Sequence, residues 1–238
     1  MTFRKAAVSV SVCVCSALLM FAQPAHASSV LDVDGTSSPV ADVAISGAMN
    51  GSSIGFATNY GTSASCTSAA FGGYIKRGAT VTSGSKLGAI TSFATGGSSS
   101  SCLMDGWNYP AVIEKGAASG DPAEWGIYAT ATPAAGATTV PVEIRDMTLK
   151  VHSTTTTGHW DCDFEMAGAV PATFNQVTQR ISISTGMSYP LLITAFDGTG
   201  TDTEGTGITY AGQVYSGDQS SMTGSFTLDT PGAGGTHF

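Results

Sequence analysis

Leu87-Gly88-Ala89-Ile90-Thr91-Ser92-Phe93, followed after a Gly/Ser loop by Ser101-Cys102-Leu103-Met104-Asp105-Gly106-Trp107, is the stretch around which the chain is organised. The first run is short, apolar and rich in β-branched and aromatic residues, which is the pattern of a strand. The loop ends at a cysteine followed by apolar anchors. Similar short runs recur along the chain at spacings that suit a sandwich or barrel. Ser28 to Asp34, Val40 to Gly47, Ser53 to Asn59, Cys66 to Arg77, Tyr109 to Glu114 and Glu124 to Thr130 fill the first part. Val140 to Val151, Trp160 to Met166, Gln179 to Ser184, Pro190 to Phe196, Gly207 to Val214 and Met222 to Asp229 fill the second. The expectation is an all-β, antiparallel sandwich or barrel-like domain of about a dozen short strands.

Local features refine this. Val142, Ile144, Met147, Leu149 and Val151 keep a period of two but slip between Ile144 and Met147, so a bulge is expected near Arg145-Asp146. Gly72 and Gly73 predict a bulge or a close backbone approach. Asn50-Gly51 predicts a hairpin turn, with Ser53 to Asn59 as the returning strand. Phe174 to Gln179 is the one candidate helix outside the N-terminal segment, and the Gly-rich tail 230–238 is expected to be loose. Ala131 to Ala137 is the candidate boundary between two halves, 28–130 and 138–229. Those halves carry the traces of a repeat. Ile90-Thr91-Ser92-Phe93 recurs as Ile193-Thr194-Ala195-Phe196, and Ser119-Gly120-Asp121 recurs as Ser216-Gly217-Asp218.

The N-terminus has the anatomy of a secretory leader. Arg4 and Lys5 precede the uncharged run Ala6 to Ala22, and Ala25-His26-Ala27 is an A-x-A signal, so cleavage is expected before Ser28 and the protein is expected outside the cell or in the wall. Removing residues 1–27 takes two basic residues and no acidic one, so the net charge moves from −8 to −10. Clustered Lys and Arg are missing, which argues against nucleic acid as a partner. Only 11% of residues are charged, too few for long exposed helices with Glu–Lys pairs. No later stretch is apolar enough for a transmembrane helix. Cys66, Cys102 and Cys162 remain after cleavage, and in an oxidising compartment three bridges are conceivable. Cys66–Cys102 is the favoured pair, with Cys162 as a buried thiol.

The chain resembles small secreted all-β proteins of actinobacteria with no assigned activity. The likeness rests on the A-x-A leader, the strand from Cys66, the run Gly84 to Phe93, Cys102, and the closing Ser216-Gly217-Asp218 with Gly224-Ser225-Phe226-Thr227-Leu228. It implies fold and localisation and brings no catalytic residue.

Gly51-Ser52-Ser53-Ile54-Gly55 fits G-x-S-x-G, but the hydrolase elbow needs a strand–turn–helix, and a hairpin is expected here. In His159-Trp160-Asp161-Cys162-Asp163-Phe164-Glu165-Met166, a strand places His159, Asp161, Asp163 and Glu165 on one face. That face is a candidate for binding, and its bland alternative is a solvated acidic surface. Asp197, Asp202 and Glu204 form a candidate Ca2+ loop against the alternative of an acidic turn. No other cofactor is implied. Trp107 is the aromatic to test for exposure. The reading is a non-enzymatic secreted protein acting by surface recognition, with possible carbohydrate contact, or as an envelope component. The alternatives are a hydrolase pairing Asp161, Asp163 or Glu165 with Asp121 or Asp218, and an envelope β-barrel.

Overall fold

The computed structural model describes residues 29–33, 41–51, 53–59, 61, 63–96, 102–104, 109–116, 120–153, 162–184, 190–198, 216–230 and 235–238. Two short N-terminal strands, β1 (Ser29–Val30) and β2 (Asp32–Val33), precede the main sheet. The sheet is built from β3 (Ala41–Met49), β4 (Ile54–Thr58), β5 (Ser63–Cys66), β6 (Ala69–Arg77), β8 (Lys86–Thr95), β9 (Cys102–Met104), β10 (Tyr109–Lys115), β11 (Trp125–Ala129), β12 (Thr139–Ser153), β13 (Cys162–Asn175), β14 (Arg180–Ser184), β15 (Leu191–Gly198) and β16 (Gln219–Asp229). The small strands β7 (Thr80–Val81) and β17 (Thr236–His237) stand apart from it.

The sheet closes into an eight-stranded antiparallel barrel with additional strands. Its register shows how thirteen strands make eight staves. The first stave is β3 continued by β4, the second β5 continued by β6, the third β8 continued by β9, and the fourth β10 continued by β11. The fifth and sixth are the single long strands β12 and β13. The seventh is β14 continued by β15, and the eighth is β16. Each stave pairs with the next in sequence. The eighth closes on the first, with Phe226↔Met49 and Thr223↔Gly55 in register. The order is therefore up-and-down throughout, and closure removes the exposed edges that an open sheet would leave.

Asn50-Gly51 does not turn the chain. β3 and β4 both run antiparallel to β16, so they point the same way, and 50–53 is a break within one stave. Gly51 has a φ of 128°, and opposite it Gly224 has a φ of 153°. A Cβ on Gly224 would lie 2.8 Å from Ile54 Cγ1, so this crossing requires glycine. The reversal comes after Thr58, where β4 meets β5 with Ala57↔Ser63 in register. The G-x-S-x-G run thus enters strand β4 and no helix follows it. Phe174 to Gln179 is not helical either. β13 ends at Asn175, whose Oδ1 accepts from the N–H groups of Val177 and Thr178, and the chain turns into β14.

The period-two readings fared better. Register slips between Ile144 and Met147, and Asp146 there has a φ of 57°. Register also slips between Gly72 and Gly73, where a Cβ on Gly73 would stand 2.1 Å from the Ala89 carbonyl oxygen. The stretch 131–137 joins β11 to β12, which pair as a ribbon with Ala129↔Val142. Gly120 and Gly217, the centres of the two Ser-Gly-Asp triplets, both take positive φ, at 111° and 97°.

The interior is packed with apolar side chains. Phe226 meets Phe71 edge-on with centroids 5.2 Å apart, and Phe93 bridges to Phe226 at 6.2 Å and to Trp125 at 5.6 Å. Ile113, Leu149, Met166 and Ile193 continue the core. Cys66 and Cys102 face each other across β5–β9 and are joined by a disulfide with Sγ atoms 2.08 Å apart. The side chain of Cys162 is outside the described set.

One rim is stoppered by residues 29–33 and 235–238. Leu31 is buried there, its N–H bonded to Ala79 O, while β1 pairs with β7 and β2 with β17. Residues 235–238, read from composition as part of a loose tail, are docked. Gln179 Oε1 accepts from Thr236 N–H at 2.7 Å and its Nε2 donates to Thr236 O at 2.9 Å, the two bonds a strand partner would make. Gln176 Oε1 accepts from Phe238 N–H, and the Phe238 ring packs on Phe174. Gln179→Ala is expected to cost about 2 kcal/mol, because it strands backbone groups of a fully buried residue. Urea unfolding, with hydrogen exchange at Thr236, checks this.

Candidate functional site

The staves are not equally continuous, and the largest interruption is in the fourth. β8 pairs with β11 up to Ile90↔Trp125 and with β10 at Ala94↔Glu114. On the other side, β12 pairs with β11 up to Arg145↔Gly126 and with β10 from Leu149↔Lys115. Between Lys115 and Trp125 the wall therefore opens into a notch, and the β12 bulge lies opposite it. A groove of about 420 Å3 occupies the notch, lined by Ser92, Phe93, Glu114, Lys115, Gly116 and Asp121 among others.

Its chemistry is polar and mixed. Lys115 Nζ donates to Pro122 O at 2.7 Å and to Gly116 O at 3.2 Å, tying Pro122 to the end of β10. The Gly116 N–H donates to Thr148 O at 2.8 Å. Gly116 is needed here for space. A Cβ on it would lie 2.7 Å from Asp121 Oδ2 and 2.8 Å from Thr148 Oγ1, so both polar atoms converge on its bare side. Thr148 is 6% exposed and its hydroxyl has no hydrogen-bond partner. Trp125, the first residue of β11, also buries an unpartnered Nε1–H. Buried polar groups are normally satisfied, and these two share their unpartnered state with Arg180 Nε and Thr236 Oγ1 elsewhere in the barrel.

The wall next to the notch is a connected polar and aromatic face. Lys86 pairs with Glu124, and the Tyr74 hydroxyl donates to Glu124 Oε2 at 2.9 Å. Arg145 pairs with Glu143 and lies 4.5 Å from the Tyr128 ring centroid. The Tyr128 ring in turn covers Gly126. The Lys86 ammonium holds Glu124 below the usual carboxylate range, against the opposing effect of burial. Glu124 in return raises Lys86, while burial, then Glu124, raises Tyr74. Glu124 therefore contributes stability above its ordinary value of 4.5, lost as pH falls through its lowered folded value. Lys86 and Tyr74 contribute below their ordinary 10.5 and 10.0, and that stability is lost as pH rises through the raised values. Glu124→Gln is expected to flatten the acid limb of the melting temperature against pH, which a set of thermal melts across pH checks.

Of the residues flagged from the sequence, Glu165 lies on this outer wall. It follows Glu114 and Lys150 in one cross-strand row, and its Oε1 accepts from the Thr194 hydroxyl at 3.1 Å. Trp107, His159, Asp161, Asp202 and Glu204 lie outside the described residues, and so do the side chains of Asp163 and Asp197. In backbone register Asp163 falls opposite both His152 and Asp197. Met104 pairs with Tyr109, and Cys162 with Gly198, at the ends of β9, β10, β13 and β15. Asp121 is in the notch, and Asp218 is a buried turn residue whose carbonyl accepts from Ile193 N–H. Among the described residues no group of three His, Cys, Asp or Glu could hold a metal ion.

Sequence reasoning missed Lys115, Gly116, Thr148 and the Tyr74–Glu124–Lys86 set. The only signal was the break between the Tyr109 to Glu114 and Glu124 to Thr130 strands, which reads as an ordinary turn. The fold and site define an antiparallel barrel with a filled interior and a polar notch in its wall. No protein family, curated protein or solved structure matches this chain.

Proposed function

We propose that the mature chain is a secreted, non-enzymatic barrel protein, free or held in the cell envelope, that acts by recognition at its outer wall. The observation that carries this reading is the filled interior. Barrels of this size that bind small ligands hold them in the lumen, whereas here Phe71, Phe93, Trp125 and Phe226 occupy it. Contact must then be made outside, where the notch and the Tyr74–Tyr128–Arg145 face lie. The polarity of the wall favours this over an envelope-spanning barrel. A membrane barrel carries an apolar outer band and a polar lumen. This one carries Lys86, Glu124, Glu143 and Arg145 outside and its apolar residues inside. The disulfide suits an oxidising compartment, as do the leader and the resemblance to secreted actinobacterial proteins.

The test is expression with the native leader, followed by incubation of the purified protein with insoluble actinobacterial wall material. Release to the medium or wall without detergent, and saturable sedimentation with the wall without product release, is the expected result. Detergent-dependent extraction, absence of sedimentation, or hydrolysis of the wall would each sink the proposal.

A further inference from the structure

Independently of the recognition reading, we infer that Asn50-Gly51 is a site of covalent modification, where the asparagine deamidates at a rate set by a clamp from β16. The step needs only water. The Gly51 nitrogen attacks Asn50 Cγ and closes a five-membered succinimide. The Cγ–Nδ2 bond breaks, and Nδ2 leaves as ammonia with the proton that the Gly51 nitrogen gives up. Water then opens the ring at either carbonyl. One opening gives aspartate, and the other gives isoaspartate, in which the main chain runs through Cγ. No electrons are gained or lost. The structure meets the requirements of this step. Both residues are exposed, so water reaches them. Gly51 has no Cβ to obstruct the attack. Among the described residues, no backbone carbonyl accepts from its N–H. The other asparagines, Asn59, Asn108 and Asn175, precede Tyr60, Tyr109 and Gln176, whose side chains crowd the same attack.

The clamp is visible in the bonds that Asn50 makes. Its N–H donates to Ser225 O at 2.7 Å. Its carbonyl accepts from Ser225 Oγ at 2.5 Å and from Arg180 Nη2 at 3.4 Å. Its side chain is tied to β16, with Nδ2 donating to Thr227 Oγ1 at 2.6 Å. The carboxamide must leave Thr227 before Cγ can swing onto the Gly51 nitrogen. Opening that one neutral hydrogen bond therefore precedes the reaction and slows it about 5-fold. The barrel accommodates the product. A carboxylate formed here lies beside the Arg180 guanidinium, and the Thr227 hydroxyl can turn to donate to it. The added main-chain carbon of isoaspartate falls in the break between β3 and β4, so the pairs Met49↔Phe226 and Gly55↔Thr223 on either side can persist.

The experiment incubates the full mature chain in mildly alkaline, heavy-oxygen water, folded and in urea, and follows each asparagine by peptide mapping and mass spectrometry. Labelled aspartate and isoaspartate are expected at residue 50 ahead of every other asparagine, more slowly in the folded chain than in urea. Thr227→Val, close in shape but without the acceptor, is expected to react about 5-fold faster than the parent when folded and at the parent's rate in urea. Thr227→Ser keeps the acceptor and is expected to match the parent in both. Asn50→Gln is expected to stay unmodified, because its ring would need six members. Thermal melts show whether the variants fold. If Thr227→Val does not, the parent's own ratio between folded and unfolded rates carries the test. A folded chain that stays unlabelled at residue 50 after the chain in urea has converted overturns the modification site. Equal folded and unfolded rates in the parent, or a folded Thr227→Val that reacts at the parent's rate, overturns the clamp.

Discussion

Phe226→Ala is expected to destabilise the protein by about 3–5 kcal/mol, the range for deleting a buried aromatic side chain. Phe226 stands on the closing stave and its ring contacts both Phe71 and Phe93, so it ties the eighth stave to the second and third. Its removal leaves a cavity where the barrel closes, and these neighbours cannot collapse into it without shifting a paired backbone. Phe226 itself pairs with Met49 and Ile181. Urea unfolding followed by tryptophan fluorescence is a fitting readout, because Trp125 reports through Phe93. Phe226→Leu keeps most of the volume and should lose far less. Equal losses in the two variants would mean that volume is not what the closure depends on.

Replacing Cys66 and Cys102 together by alanine is expected to remove about 3–4 kcal/mol, from the chain entropy of a closed 36-residue loop. The bridge joins the second and third staves where their pairing is shortest, only Ala64 to Cys66 against Met104 to Cys102. Without it β9 retains its few ladder bonds and its pairing to β10, so the barrel should fold but open first at that rim. Reductant added to the unmodified protein should bring its unfolding midpoint to that of the double variant. A double variant within about 1 kcal/mol of the parent would show that the unfolded chain is already constrained there.

Much of the barrel was legible because strands with one buried face must alternate. The apolar set Val142, Ile144, Met147, Leu149 and Val151 is buried as read, with the bulge between its halves. Asn50-Gly51 misled because a turn dipeptide reports only that φ is positive, not that the chain reverses. Here φ is positive at Gly51 within the break between β3 and β4, which run the same way along β16. The C-terminal residues misled because glycine-rich composition signals loss of order unless something outside the segment supplies partners, and Gln176 and Gln179 do so. The notch had no local signature at all. It exists because β8 changes partner from β11 to β10, which no single segment encodes.

By itself, then, the sequence determined the all-β class, the positions and inward faces of most strands, and the bulge sites at Gly72-Gly73 and Arg145-Asp146. These follow from the period of two and from backbone limits that act within a few residues. Closure of the barrel, the direction of β4, the docking of residues 235–238 and the convergence of Asp121 and Thr148 on Gly116 were decided by tertiary structure. Each depends on which distant strand supplies the hydrogen-bond partner, and that choice is made by all eight staves packing one shared core.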